Sequence, residues 1–472
     1  SQNIPRHEIN SNFIFPELIE RVEVLRGDGT VQFGNKTIAG AVNVITKKPR
    51  QNPGTYFGAE YGSWHTDREW ASINVVRDSI AAGIFLGRYA QEGWRIHYGL
   101  NGEEEPIRRP GPWELVNVNG SVNWKITPRL TLDVSQLIST QRIPSSNAFS
   151  QDRWERRDTR DIGIAAFGDR TFDDDPEERW DYLTIAKLFY DGGNLGSLEI
   201  TATNRRYDRK IPFLFTYPYE SGDQRWTDAT LLLKYFRTDE FGPFRNDLTL
   251  GNDHLDGRFA REGRAHSVVD FIPRLTHSVA QRARREALSY YVINHLRLWD
   301  RIIVGLGYRV ENYEIRDIFA DNGLATITGS VNKRKSSSQY SFGLVYDVEL
   351  GSSMYYRHSR TYRFPGFDDM INLGFAVYPP YSHPDPIWLL DPEEGTLEEV
   401  GIRHWFTRNI YAALTYYEMD MDNEIFYGPD SSLPPFFPYR NQNIPNTSHY
   451  GLEFDGLVRL TPRWTLRGTY TR

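Results

Sequence analysis

From residue 54 onward the chain alternates apolar and polar residues with a period of two. Between Arg301 and Glu311, Ile302, Val304, Leu306, Tyr308 and Val310 share one face, and Arg301, Gly305, Gly307, Arg309 and Glu311 share the other. Leu130, Leu132 and Val134 oppose Thr131, Asp133 and Ser135 in the same way. So do Leu198, Ile200 and Ala202 against Glu199, Thr201 and Thr203, and Tyr450, Leu452 and Phe454 against Gly451, Glu453 and Asp455. Such a period predicts β-strands with one apolar face. A soluble sandwich alternates too, so the pattern alone does not say what that face meets.

The connections narrow the choice. Tight turns are predicted at Gly62–His65, Arg77–Ser79, Ile126–Arg129, Asp191–Asn194, Thr238–Pro243, Trp299–Asp300, Leu350–Ser352, Phe406–Asn409 and Leu460–Arg463. The runs ITPRLTL and LTPRWTL are one hairpin signature used twice. Between the turns, long polar loops are expected near residues 92–113, 142–180, 208–225, 255–285, 315–337, 362–396 and 423–447. Short and long connections thus alternate, as in a membrane barrel with tight turns on one rim and long loops on the other. A sandwich or propeller has no physical reason to keep that parity. The fold class expected is therefore all-β: a transmembrane antiparallel β-barrel of about 17 strands. The last run, WTLRGTYTR, stops inside a strand pattern, so the chain is not expected to close a barrel alone, an open edge in lipid being costly.

Composition agrees. Mean hydropathy is −0.57, and no apolar run approaches the roughly 18 residues of a spanning helix; barrel strands hide their apolar residues at alternate positions. Aromatics make up 14% of the 472 residues and cysteine is absent, which suits an oxidising compartment without disulfides. The net charge of −7 argues against a nucleic-acid partner. The opening SQNIPRHEIN has no charged segment followed by an apolar one, so a leader is expected to have been removed or to lie outside this stretch.

One stretch departs from the strand pattern. Residues 19–49 set Glu20, Arg21, Glu23 and Arg26 among valines, then Gly27, Gly34, Gly40 and Asn43. The segment Ile19–Gly27, followed by Phe33-Gly34 and Gly40-Ala41-Val42-Asn43-Val44-Ile45-Thr46, resembles the end of the plug domain of TonB-dependent outer-membrane receptors. Phe33 stands where the family has Tyr, Ala41 where it has Gly, and Asp28 where Pro is common. Further similarity lies in YRFPGFDDM (Tyr362–Met370), LLDPEEGTLEEVGIRHWF (Leu389–Phe406) and NIPNTSHYGLEF (Asn443–Phe454). Together these ordered motifs run from residue 19 to the end of the chain.

The resemblance implies a barrel of about 22 strands around an N-terminal plug. Residues 1–53 would be the C-terminal part of that plug and 54–472 the barrel. Most of the plug, its TonB box and about five strands would lie outside the sequence. It implies residence in the bacterial outer membrane and active import of a scarce ligand, most readily a ferric siderophore or related iron chelate. TonB, with ExbB and ExbD, would power import from the inner-membrane proton gradient. Partners are then TonB, the chelate and outer-membrane lipid; no cofactor, resident metal or catalytic residue is implied. The family's plug–barrel lock of plug arginines and barrel glutamates maps onto Arg21 and Arg26 with Glu399 and Glu453. Alternation independently turns Glu399 and Glu453 inward, opposite Val400, Ile402, Leu452 and Phe454.

Candidate ligand residues lie in the predicted loops: Arg108, Arg109, Trp113, Arg142, Trp154, Tyr378, Tyr381, His383, Trp388 and Tyr439. Arginine suits an anionic chelate, and aromatic rings a flat catecholate or macrocycle. The alternative reading for any one of them is an ordinary solvated loop residue. Haem is a second cargo, since haem receptors of the family carry a His in the interval that holds His383, and His is an axial ligand. Cobalamin, nickel and oligosaccharide remain further alternatives. A passive porin would lack the plug segment, and a barrel enzyme would need a nucleophile, His and carboxylate converging at a rim, which nothing marks. His254, His266 and His277 are too widely spaced for a metal motif, and Asp173–Glu178 reads as a solvated acidic loop before a calcium site.

Overall fold

The computed structural model describes residues 14–26, 29–35, 37–38, 40–92, 113–143, 177–214, 219–269, 272–321, 326–329, 333–348, 351–366, 369, 390–429 and 439–472. A hairpin comes first, β1 (Ile19–Arg26) against β2 (Gly40–Thr46), with a one-turn helix α1 (Thr30–Phe33) between them. The wall follows. Its first third is β3 (Gly54–Gly62), β4 (Thr66–Arg77), β5 (Ile80–Gln91), β6 (Trp113–Thr127), β7 (Leu130–Ile143) and β8 (Glu177–Asp191). Next come β9 (Ser197–Leu214), β10 (Tyr219–Phe241), β11 (Phe244–Val269), β12 (Ile272–Leu298), β13 (Ile302–Asp321), a short β14 (Thr326–Gly329) and β15 (Lys333–Val348). It ends in β16 (Ser352–Arg363), β17 (Glu393–Thr407), β18 (Ile410–Pro429), β19 (Tyr439–Thr461) and β20 (Trp464–Thr471).

Without β14 the wall has 17 strands, each pairing antiparallel with the next. The strand order returns on itself with β20 beside β3, so the expected unclosed sheet is not what the order shows. An odd number of hairpin-linked strands sends the first and last in the same direction. Each of the two end strands has a residue register with one neighbour, β3 with β4 and β20 with β19, and every residue of β20 is exposed.

The wall is polar inside and apolar outside. On β13, Leu306 and Tyr308 are about half exposed, while Arg309 and Glu311 are buried. Outward Ile73, Val75, Leu86, Leu231, Val400, Ile402, Leu452 and Phe454 continue the exposed apolar belt. Asn117, Asp181, Ser289 and Gln339 are buried on the other side. A soluble fold would pay heavily for such exposure; lipid makes it favourable.

The tight turns among the described residues fall where the pattern placed them, the turn at Leu350–Ser352 lying partly outside them; several long loops do not. Strands β11 and β12 run 26 and 27 residues, against the roughly 10 needed to cross a bilayer. Most of the span expected as loop near 255–285 is therefore ladder, as are the flanks of 208–225, 315–337 and 423–447. Past the lipid both faces meet polar groups, and alternation fades. Cross-strand ion pairs hold the arms instead, such as Arg284 with Asp256 at 2.8 Å and Arg282 with Glu262 at 3.0 Å.

Candidate functional site

The segment before the wall crosses the lumen. At one end Phe15, 1% exposed, packs on Phe85 of β5 with ring centroids 5.7 Å apart. Its N–H donates to Asn117 Oδ1 of β6 at 2.8 Å. Gly87 makes room for that ring, since a Cβ there would sit 3.0 Å from Phe15 Cγ. Glu17 is ion-paired with Arg68 of β4, whose guanidinium lies 5.5 Å from the Phe15 ring centroid. The chain leaves toward the wall through Lys48, 3.3 Å from Asp133, and Arg50, which donates to Asn123 at 2.6 Å.

At the other end α1 and the turn after it meet β12, β13 and β15, half the circumference away. Arg309 is the centre of this contact. Its side chain is 4% exposed and lies 2.9 Å from Asp253 and 3.2 Å from Glu311. It also donates to Ser289 Oγ, points one N–H at the Val31 carbonyl 3.5 Å away, and sits 5.1 Å from the Tyr291 ring centroid. Gly34 ends α1 with φ +75°. A Cβ there would lie 2.7 Å from Arg309 Nη2 and 3.2 Å from Glu311 Oε2. Only glycine both adopts that backbone and fits that gap.

The hairpin carrying the motif charges is different. Arg21 Nε donates to Glu23 at 2.8 Å and Nη1 lies 3.3 Å from Glu20, all three on the hairpin itself. Glu23 accepts from Asn43 at 3.1 Å, across the β1–β2 pair. The Arg21 guanidinium, first, and the Asn43 amide hold the Glu23 carboxyl below its usual range. Val22, Val24 and Val42 are at least half exposed. The guanidinium of Arg21 is thus engaged by its nearest carboxylates, because a pair two residues apart on a strand needs no tertiary partner. Gly40 opens β2, while Gly27 and the side chain of Arg26 lie outside the described residues. Glu399 and Glu453 do face inward, between exposed Glu398 and Val400 and between exposed Leu452 and Phe454. Tyr355, beside Glu399 on the neighbouring strand, shares a hydroxyl–hydroxyl hydrogen bond of 2.9 Å with Thr415.

Of the candidate ligand residues, Trp113 stands at the start of β6 and meets Tyr89 edge-on at 4.6 Å. Arg142 is on the outer face of β7, 54% exposed and 3.8 Å from Glu178. Tyr439 begins β19; its side chain, with Arg108, Arg109, Trp154, Tyr378, Tyr381, His383 and Trp388, lies outside the described residues. Sequence reasoning missed Arg309, Asp253 and Phe15. Arg309 and Glu311 were on the face read as polar, but nothing along β13 distinguishes them from Arg301.

A lipid-facing barrel whose lumen is crossed by its own N-terminal segment defines a plugged outer-membrane barrel. The family described as "TonB dependent receptor-like, beta-barrel" matches residues 93–472, and the chain belongs to it. Members of this family of transport receptors are outer-membrane proteins of Gram-negative bacteria. The ferrienterobactin receptor of Escherichia coli K12 is 42% identical over 157 residues, covering 28% of this chain and 20% of that protein. TonB-dependent heme receptor A of Haemophilus influenzae is 22% identical over 475 residues, covering 90% of this chain and 60% of that one. The chain thus spans only part of the length of these relatives. Among solved structures, the ferric yersiniabactin uptake receptor FyuA from Yersinia pestis superposes with a TM-score of 0.74. It is 15% identical, with 96% of this chain and 66% of that one covered.

Proposed function

We propose that the whole protein imports a scarce ligand, a ferric siderophore or similar iron chelate, across the outer membrane, driven by TonB with ExbB and ExbD. It performs no bond chemistry. The observation that carries the reading is the segment pinned to opposite walls of the lumen: a passive pore has no use for an obstruction, whereas energised import needs a plug to move. The similarity to a ferrienterobactin receptor supports the cargo class. The lock belongs to the proposal in the form Arg26 with Glu399 and Glu453, supported by the inward direction of both glutamates. Ligand residues are drawn from Arg108, Arg109, Trp113, Arg142, Trp154, Tyr378, Tyr381, His383, Trp388 and Tyr439.

A second cargo, haem, is favoured by the similarity to heme receptor A along most of the chain and would use His383. The test is uptake by cells carrying the full-length receptor, with and without TonB, of iron-55 enterobactin, haem and cobalamin in parallel. TonB-dependent accumulation of the ferric chelate alone is expected. TonB-dependent uptake of haem alone moves the cargo to the second reading, and accumulation that ignores TonB overturns active import.

A further inference from the structure

Two motifs separated by most of the chain meet at one point in the lumen. Asn35, which follows Gly34 in the plug turn, accepts the backbone N–H of Phe364 through Oδ1 at 2.8 Å. Phe364 belongs to the stretch that leaves β16, and it is fully buried. Its ring stacks on Tyr313 of β13, centroids 4.6 Å apart and planes 7° apart, and meets Tyr362 edge-on at 4.9 Å. The Tyr313 hydroxyl donates to the Pro365 carbonyl at 3.2 Å.

Charge fixes the same stretch. Arg363 is bidentate to Glu393, where β17 begins, and lies 2.8 Å from Asp369. Asp369 also accepts the Gly366 N–H at 2.7 Å, and its carbonyl accepts from Asn441 of β19 at 3.0 Å. Glu393 in turn accepts the Ile425 N–H of β18 at 2.6 Å. Paired arginine–carboxylate forks of this kind orient rigidly. The stretch is therefore one stiff body, held by four strands and joined to the plug through a single described hydrogen bond between a buried donor and a turn that already touches Arg309.

We propose that Tyr362–Gly366 with Asp369 is a mechanical relay between the outer end of the barrel and the plug, with Asn35 as its contact. Chain connectivity supports the direction: residue 366 leads to 370–389, where Tyr378, Tyr381, His383 and Trp388 are found. A shift of the stiff body pulls the donor off Asn35 and strands a buried N–H, so the plug turn must follow or lose its anchor. Coupling of this kind is reciprocal: what loosens the turn loosens the stretch, and the reverse. The inference deepens the import reading, because arrival of ligand outside must reach the plug, yet the coupling is measurable with no ligand and no TonB.

The experiment is hydrogen exchange on the whole chain in detergent micelles, with amides of β6–β8 as the control for a folded wall. Asn35→Ala is expected to speed exchange at Phe364 and Gly366 about five-fold, the loss of one buried hydrogen bond. Tyr313→Leu, which removes the stack and the bond to Pro365, is expected to speed exchange at Phe33 and Gly34 by a similar factor. In the Asn35→Ala background, Tyr313→Leu should leave Phe33 and Gly34 where they were, because the relay is already broken. An Asn35→Ala protein with wild-type rates at Phe364 and Gly366 overturns the proposal. So does a Tyr313→Leu effect on the turn that is equal in both backgrounds, since that effect would travel through the wall.

Discussion

The lumen holds two arginines in opposite circumstances. Arg21 stands in the plug motif, is 54% exposed, and pairs with Glu20 and Glu23 of its own hairpin. Arg309 stands in a wall strand that carries no family motif, is 4% exposed, and is held by Asp253, Glu311 and Ser289 beneath the plug turn. The contrast teaches that a motif charge is not an anchor by virtue of its type. An exposed pair is screened and loses side-chain entropy, so it contributes little. A buried arginine between two carboxylates fixes geometry, because each partner would be costly to strand.

Removing the buried arginine sharpens the comparison most. Arg309→Met leaves buried Glu311 and half-buried Asp253 without their cation and removes the N–H aimed at the Val31 carbonyl, and the turn amides are expected to exchange about five-fold faster or more. Exchange of the turn amides across a urea series measures it. Gly34→Ala comes next. It keeps every charge but forces a side chain into φ +75° and against Arg309, for an expected loss of about 1–3 kcal/mol in the same measurement. Arg21→Ala is expected to leave plug exchange and protease resistance at wild-type values. A clear loosening by Arg21→Ala, with none from Arg309→Met, would invert the comparison.

How far the sequence could be read follows from the same physics. The period of two placed Arg309 and Glu311 inside and Leu306 and Tyr308 outside, because lipid on one face imposes a strict alternation. Turn residues placed the hairpins for an equally local reason: Thr127 and Thr461, in the repeated TPR signature, accept the N–H groups of Leu130 and Trp464 at 3.0 and 3.1 Å. The long arms of β11 and β12 were misread as loop where neither face meets lipid and their stability comes from cross-strand pairs such as Arg284 with Asp256. The lock was the least legible. The motif arginine Arg21 pairs within its own hairpin, while Arg309, at the plug turn, depends on Asp253, 56 residues away, and on a plug carbonyl 278 residues away. Pairings of that range leave no periodic trace.

The central claim is that the plug is pinned to the wall at the turn after α1 and not through Arg21. Hydrogen exchange of the Arg309→Met protein, resolved at single amides, tests it most directly. The account predicts faster exchange at Gly29, Phe33 and Gly34, whose N–H groups bond within the turn, with Val22 and Val24 of β1 unchanged. Equal acceleration at both places, or at neither, would contradict it.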